Sequence, residues 1–317
     1  MGAGSHIVAS RSLYGGSHNL LHYTLPRFGI ETTLRRPARR GRLPPGRSAR
    51  TRGCIFGETL GNPGLDVLDV PRVAEVAHEA GIPLLVDSTF TTPYLMRPFD
   101  LGADLVVPLR HQVPRRPWRR DRRRAGGRRP LRLGEVGQIS DSDRALRRLP
   151  QHGVHRGVDH RAFILRARRE GLRDFGACMS PHNAFQILQG IETLTPAHAA
   201  ARGQHPQDRR IPEGQPGGGV GRLSRAAQPS RTTSWPSRLL PNGCGAVFSF
   251  GIKGGAAAGK RFIETLQVFS HLANVGDAKS LVIHPATTTH YRMDDAALAR
   301  RGHHRRHGTP LGRTREP

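Results

Sequence analysis

Lysine is almost missing from this chain. Of its 50 basic residues 47 are Arg, and Lys253, Lys260 and Lys279, all beyond position 250, are the three Lys. Chemistry that needs an amine side chain earlier in the chain is therefore excluded. Cysteine is as scarce. Cys54, Cys178 and Cys244 are far apart and odd in number, which gives no disulfide framework and no metal-ligand spacing, and fits a reducing compartment. Aromatic residues make up 5%, with Trp118 and Trp235 the two Trp. No apolar run approaches the roughly 18 residues that a membrane helix needs, and MGAGSHIVAS lacks the apolar core of a signal peptide. The expectation is a cytoplasmic protein without a membrane span.

What is abundant is positive charge. The formal net charge is +26, a balance that ordinarily points to nucleic acid. Its distribution points elsewhere. Residues 34–53 hold eight Arg and no acid, 108–161 sixteen Arg against five acids, 195–238 seven against two, and 299–317 six against one. The rest of the chain is close to neutral. Inside these tracts Pro and Gly are frequent and apolar residues keep no period, so they read as disordered basic segments. They lack the interleaved aromatics on which single-stranded bases stack, so the nucleic-acid binding they support is salt-dependent and non-specific.

One stretch, from Cys54 to Val107, reads without interruption as strand, turn, helix, strand, loop and strand. After ETLGNPG, the segment Pro71 to Ala80 puts Pro at a first helical position, spaces Val73, Val76, Ala77 and Ala80 on one face, and stops at Gly81. IPLLVD follows as an apolar run ending in Asp87, the form of a buried parallel strand whose carboxyl end opens on a ligand crevice. Asp87 is thus a candidate ligand-binding carboxylate. The alternative is an Asp that caps the turn STFTTP.

GETLGNPGLDVLD followed by VDSTFTTPYLMRPFDLGADLV resembles the cofactor domain of the Cys/Met-metabolism enzymes that use pyridoxal 5'-phosphate (PLP), and within them the O-acetylhomoserine sulfhydrylase branch. GSHIVASRSLYGGSHNLLHYTLPRFGIETT carries the likeness to the start of the chain. The resemblance implies that Asp87 pairs with the pyridine nitrogen, keeping the ring protonated and electron-withdrawing. It implies that Tyr14 of LYGG stacks on the ring and shares in proton transfer. Asn62 matches the family Asn near the ring hydroxyl, with Glu58 one turn before it. The match begins after the family's further arm and Gly-rich phosphate cradle.

The likeness breaks at the basic tracts. After Val107 the family continues into a Ser-Ala-Thr-Lys motif that bears the Schiff-base lysine, and here that lysine is absent. Pro108 to Arg116, PLRHQVPRR, can be written CCA CTC CGC CAC CAA GTT CCT CGG CGG. Read from one base later this gives His-Ser-Ala-Thr-Lys-Phe-Leu-Gly-Gly, with the lysine codon straddling Gln112 and Val113. The tracts are accordingly read as shifted-frame translation, which also accounts for the excess of Arg over Lys.

Family text returns in AFILRARREGLRDFGACMSPHNAFQILQGIETL, where a helix from about Asn183 is expected to pack on the cofactor domain through Phe185, Leu188 and Ile191. From Leu239 to Leu298 it resumes again. GAVFSFGI alternates as a strand, and Ala257 to Asn274 is expected as a helix burying Phe262, Leu266 and Phe269. Lys253 and Lys260 flank GGAAAG on an expected surface turn. The resemblance places Asn274 beside the substrate carboxylate, while the family Arg that clamps this group is replaced by GHHRRHGTPLGRTREP. His284 and His290 lack a third ligand for a metal.

The expected architecture is α/β, a remnant of the PLP-dependent transferase fold with a small C-terminal α+β domain. Residues 1–194 form an incomplete PLP-binding domain, 195–238 a basic linker, and 239–317 an incomplete small domain. The implied activity is γ-replacement on an amino-acid substrate in methionine and cysteine biosynthesis, in a chain rendered inactive, with PLP held without covalent attachment. The family's homotetramer has no support here, and the alternative is a basic nucleic-acid-binding protein.

Overall fold

The computed structural model describes residues 1–35, 52–108, 163, 167–176, 178–197 and 220–221, and most of 238–289. The basic tracts, and with them the expectation of their disorder, lie largely outside these residues.

The centre is a parallel sheet of five strands, β1 (His6–Ser10), β2 (Glu31–Arg35), β3 (Arg52–Glu58), β4 (Leu84–Asp87) and β5 (Leu105–Val107), in the order β2-β1-β3-β4-β5. Both faces are covered, as a parallel sheet requires. Ile7 and Ala9 of β1 and Cys54 of β3 point to one side, where they pack with Leu13 and Leu21. Val8, Ile55, Leu84 and Val86 point to the other and meet α2 (Val70–Glu79) through Val70, Ala74 and Ala77. The continuous apolar reading of IPLLVD follows from this double burial.

The α2 helix begins one residue before the expected start, because Asp69 caps it by accepting the Arg72 N–H at 3.2 Å. Ala80 ends it and Gly81 follows in the left-handed region at φ 65°. Before β2, α1 (Gly15–Asn19) runs through a π turn (Leu20–Thr24) and a 3-10 turn (Leu25–Phe28) to Gly29, and Thr92–Leu95 forms the short α3. Leu239 and Leu240 enter the same core as α2 and Leu95, and the Asn242 side-chain N–H donates to the Tyr94 carbonyl at 2.6 Å.

Three expectations for the second half are corrected. The helix α4 (Pro181–Glu192), capped by Ser180, forms, but Phe185 and Leu188 are 58% and 56% exposed: none of the described elements covers this face. The helix α5 (Gly255–Thr265) stops nine residues short of Asn274. The Thr265 hydroxyl donates back to the Phe262 carbonyl at 2.9 Å, and residues 270–271 are claimed by parallel pairing of β8 (Ser270–His271) with β9 (Leu281–Val282). Consequently Phe262 and Phe269 are exposed and Ile263 is the buried residue of α5. Lys260 stands on this helix rather than on a surface turn. Of the strand expected in GAVFSFGI, the described part is β7 (Gly251–Ile252), antiparallel to β6 (Val220–Gly221).

One carboxylate ties three elements of the main sheet. Asp104 accepts the Leu84 N–H at 2.8 Å and meets His78 Nε2 at 2.9 Å, joining the starts of β4 and β5 to the last turn of α2. Truncation in Asp104→Ala leaves a buried N–H unpaired and is expected to cost about 2 kcal/mol, read as a lower urea midpoint at constant slope. Asp104→Asn keeps an acceptor for that N–H and should lose less; equal losses would show that the staple does not act through Leu84.

Candidate active site

The chain passes from β1 to β2 on one side, then returns to place β3 on the other side of β1. Strand order therefore reverses between β1 and β3, and a crevice opens outside the carboxyl ends of strands at such a point. Tyr14 follows β1 and Glu58 ends β3, so both stand at this crevice. Register then sets Glu58 beside Asp87, and Asp87 beside Val107. Paired residues of parallel neighbours share a face, so both carboxylates project to the side of α1.

Glu58 is buried and accepts the Tyr14 backbone N–H at 2.7 Å. This bond fixes the residue that opens α1, and with it the base of the Tyr14 ring. The ring folds over Gly16, where a Cβ would come within 2.6 Å of Tyr14 Cε1, and it remains 46% exposed. Gly15 is equally constrained: a Cβ there would lie 2.5 Å from the Thr289 carbonyl oxygen, so the end of the C-terminal segment rests on the start of α1. The Thr59 hydroxyl meets Thr91 Oγ1 at 3.0 Å, and the Thr59 N–H donates to the Asp87 carbonyl at 2.9 Å, which locks the two strand ends together.

Asp87 accepts the Thr89 N–H at 2.8 Å and a second bond from the Thr89 side chain. Burial pushes its carboxyl above the usual Asp range, and the Thr89 bonds only partly oppose the shift. No basic side chain among the described residues pairs with it. The turn-capping reading of Asp87 is thus part of the truth, but it leaves a half-buried anion without a cation. Asn62 stands half-buried between Gly61 and Pro63, and its amide bonds to none of the described residues. A planar ring with a cationic N–H and a hydroxyl would satisfy both groups beside an aromatic face, so the donor set fits the ring of PLP.

The amine is a different matter. Lys260 is 68% exposed and pairs with Glu264 at 3.7 Å, Lys279 is exposed in the turn after Asp277, and Lys253 lies outside the described residues. Both described lysines are thus exposed on the C-terminal segment, and neither pairs with Asp87. Asn274 is exposed and its side-chain N–H donates to Asp277 Oδ2 at 3.1 Å; the contact that joins this segment to the crevice is made by Thr289. His284 is buried with Nδ1 3.0 Å from Thr287 Oγ1, and burial lowers its pKa; His290 lies outside the described residues. Cys54 is buried, which pushes its thiol up to about 11 and leaves it unreactive, whereas Cys178 is exposed. Sequence reading missed the role of Glu58 as the anchor of the Tyr14 backbone, because an acceptor for a main-chain N–H leaves no pattern in spacing.

An acid whose pKa is raised in the folded state holds its proton more tightly folded than unfolded. Asp87 then favours the fold fully only below its unfolded pKa, and this contribution is lost as pH rises through the raised folded value. Asp87→Asn should therefore raise the urea midpoint at pH 7, with the difference fading below the usual Asp range of about 4. A lower midpoint at pH 7 would mean that the burial cost is already offset within the protein.

The family model described as Cys/Met metabolism PLP-dependent enzyme matches residues 1–109 and 142–306. O-acetyl-L-homoserine sulfhydrylase of Leptospira meyeri is 38% identical over 311 residues, covering 92% of this chain and 67% of that protein. Homocysteine synthase of Schizosaccharomyces pombe is 35% identical over 317 residues, covering 92% and 68%. Among solved structures, an O-acetylhomoserine (thiol)-lyase of Campylobacter jejuni, which holds an N'-pyridoxyl-lysine-5'-monophosphate, superposes with a TM-score of 0.77 at 23% identity, over 95% of this chain and 71% of that one. On the sheet edge, the carboxylate and these matches together, the chain belongs to the Cys/Met-metabolism family of PLP-dependent enzymes.

Proposed function

We propose that this chain derives from an O-acetylhomoserine sulfhydrylase, catalysing PLP-dependent γ-replacement of the acyl group of an activated homoserine by sulfide or a thiol, and that as it stands it holds the cofactor ring without turning substrate over. The observation that carries this is the half-buried Asp87 carboxylate without a cationic partner among the described residues, in a chain with no Lys before position 253. Bound PLP supplies an electron sink for the substrate carbon next to the amino group. The protein's share falls to named residues. Asp87 holds a proton on the ring nitrogen, Asn62 orients the ring hydroxyl, Glu58 fixes Tyr14, and the Tyr14 ring covers the crevice. What is lacking is the amine that would hold the ring covalently and carry protons at the substrate carbons, a task for which a lysine of lowered pKa is suited.

The shifted reading of Pro108 to Arg116 supports the same conclusion, because it recovers a lysine directly beyond β5, whose Val107 neighbours Asp87. The nucleic-acid reading has only charge behind it, and the relatives named above are enzymes of sulfur metabolism by name. No helix among the described residues is long and apolar enough to cross a membrane. From its relatives' names as enzymes of sulfur metabolism we place the protein in the cytoplasm, with a small amino acid as its substrate class.

Equilibrium dialysis with PLP, followed by borohydride reduction and peptide mass analysis, tests the proposal. The expected result is reversible PLP binding with no pyridoxyl-lysine, weakened at least tenfold in Asp87→Asn, since a charge-assisted bond contributes about 1.5–3 kcal/mol. Reductive trapping of PLP on Lys253, Lys260 or Lys279 in stoichiometric amount would refute it.

A further inference from the structure

We infer that the basic tracts share a single coding offset, so that reading each from one base later recovers helix- and strand-forming sequence together with the two cations that the site lacks. The genetic code explains the composition. An Arg codon CGN followed by a codon beginning with C reads, one base later, as GNC, which is Val, Ala, Asp or Gly. Runs of Arg thereby become small apolar residues and acids, and the excess of charge disappears.

The sheet topology supplies the first test on the page. β2 ends at Arg35, β3 begins at Arg52, and both are parallel to β1, which lies between them. Parallel strands are joined by a crossover of about a dozen residues or more, normally a helix. As read, the intervening RPARRGRLPPGRSART has no helical period. Read one base later, codons 34–50 permit Phe-Val-Asp-Pro-Arg-Asp-Val-Asp-Ala-Phe-Arg-Leu-Ala-Val-Arg-Pro-Glu. An Asp cap is followed by Pro at the first helical position, then by Val, Phe and Val at spacings of three and four. The offset turns a stretch without helical period into one that has it.

A second tract behaves in the same way. It follows α4, whose Phe185 and Leu188 are exposed. Codons 198–230 permit Met-Arg-Gln-His-Val-Ala-Asn-Thr-Arg-Lys-Ile-Ala-Glu-Phe-Leu-Lys-Ala-Asn-Pro, an amphipathic helix, and then Ala-Val-Ala-Trp-Val-Gly-Tyr-Pro-Glu-Leu-Pro-Ser-His-Pro, which opens as a strand. Codons 300–316 permit Ala-Ala-Gly-Ile-Thr-Ala-Gly-Thr-Val-Arg-Leu-Ser-Val-Gly-Leu-Glu-Asn. There an alternating strand carries a single Arg, the residue type that clamps a carboxylate, where the chain as read has six Arg. The family model matches residues 1–109 and 142–306, so the first and third tracts lie inside the matched ranges.

The codons themselves decide the matter, because each amino acid restricts the third base only loosely and the offset restricts it sharply. Sequencing the gene is expected to show CAA at Gln112, since CAG would give Arg in place of Lys. It is likewise expected to show GAT at Asp208, which gives Ile, and ACG at Thr309, which gives the Arg. A G in the third base at Gln112, or GTA at Val220, which makes a stop, would overturn the inference. In the second arm, the chain as read and the chain re-encoded one base later through every tract are each incubated with PLP and reduced with borohydride. The re-encoded chain should carry pyridoxyl on the lysine that straddles codons 112 and 113. If the codons agree and this label is missing, the coding inference stands and the assignment of the pocket to PLP falls.

Discussion

The structure depends on the parallel pairing of β3 with β4, which sets Glu58 and Asp87 side by side at the carboxyl edge of the sheet. Pairing alone would leave two carboxylates in mutual repulsion, and the fold separates their duties by giving each its own donors. Glu58 takes the main-chain N–H of Tyr14 and so becomes part of the scaffold. Among the described residues Asp87 takes its side-chain bonds from Thr89, with no basic partner beside it. Two carboxylates at paired positions thus sit in different surroundings, a division that environment decides and sequence does not.

Much of this was legible in the residues. An apolar run ending in Asp reads as a buried strand pointing at a crevice, and β4 is that strand because both of its faces are covered. The α2 helix declared itself through Pro71, its apolar spacing and Gly81. What failed lies further along. The face of α4 has a helical period, but period predicts burial only where a partner element exists, and none of the described residues offers one. The end of α5 was misplaced because residues 270–271 are taken by pairing with 281–282, a non-local interaction that no window of the sequence contains. The contact of Thr289 with Gly15 was hidden for the same reason: a backbone carbonyl has no residue signature.

The exposed apolar side chains sort the molecule by completeness. Around α2 and β4 the core is continuous, with Leu84, Val86 and Val70 fully enclosed. Beyond residue 160, Phe175, Phe185, Val268 and Phe269 face outward. Single exposed apolar residues are ordinary, but on α4 Phe185 and Leu188 stand exposed together on the face that its period marks as apolar. Marginal stability leaves little tolerance for such surface, so the second half of the chain is where aggregation would begin.

The change of frame that we propose for the tracts, as against gradual substitution, draws support from consistency across levels. A protein that drifts loses its signals one at a time: a cap here, a core residue there, with composition nearly unchanged. In this chain propensity, periodicity, charge balance and turn chemistry fail together at the tract borders and recover together beyond them. Phe56, Glu58 and Thr59 stand in good order a few residues after GRSARTRG, and Val107 immediately before PLRHQVPRR. Physical selection on a folded protein cannot impose so abrupt a border, because neighbouring residues share their packing environment. The proposed operation on the nucleotide text, blind to the environment of the side chains, would replace every property of a segment at once and none of the next. The persistence of Asp87 fits the same account, since an acid whose burial opposes folding is readily replaced where, as among the described residues, no cation pairs with it.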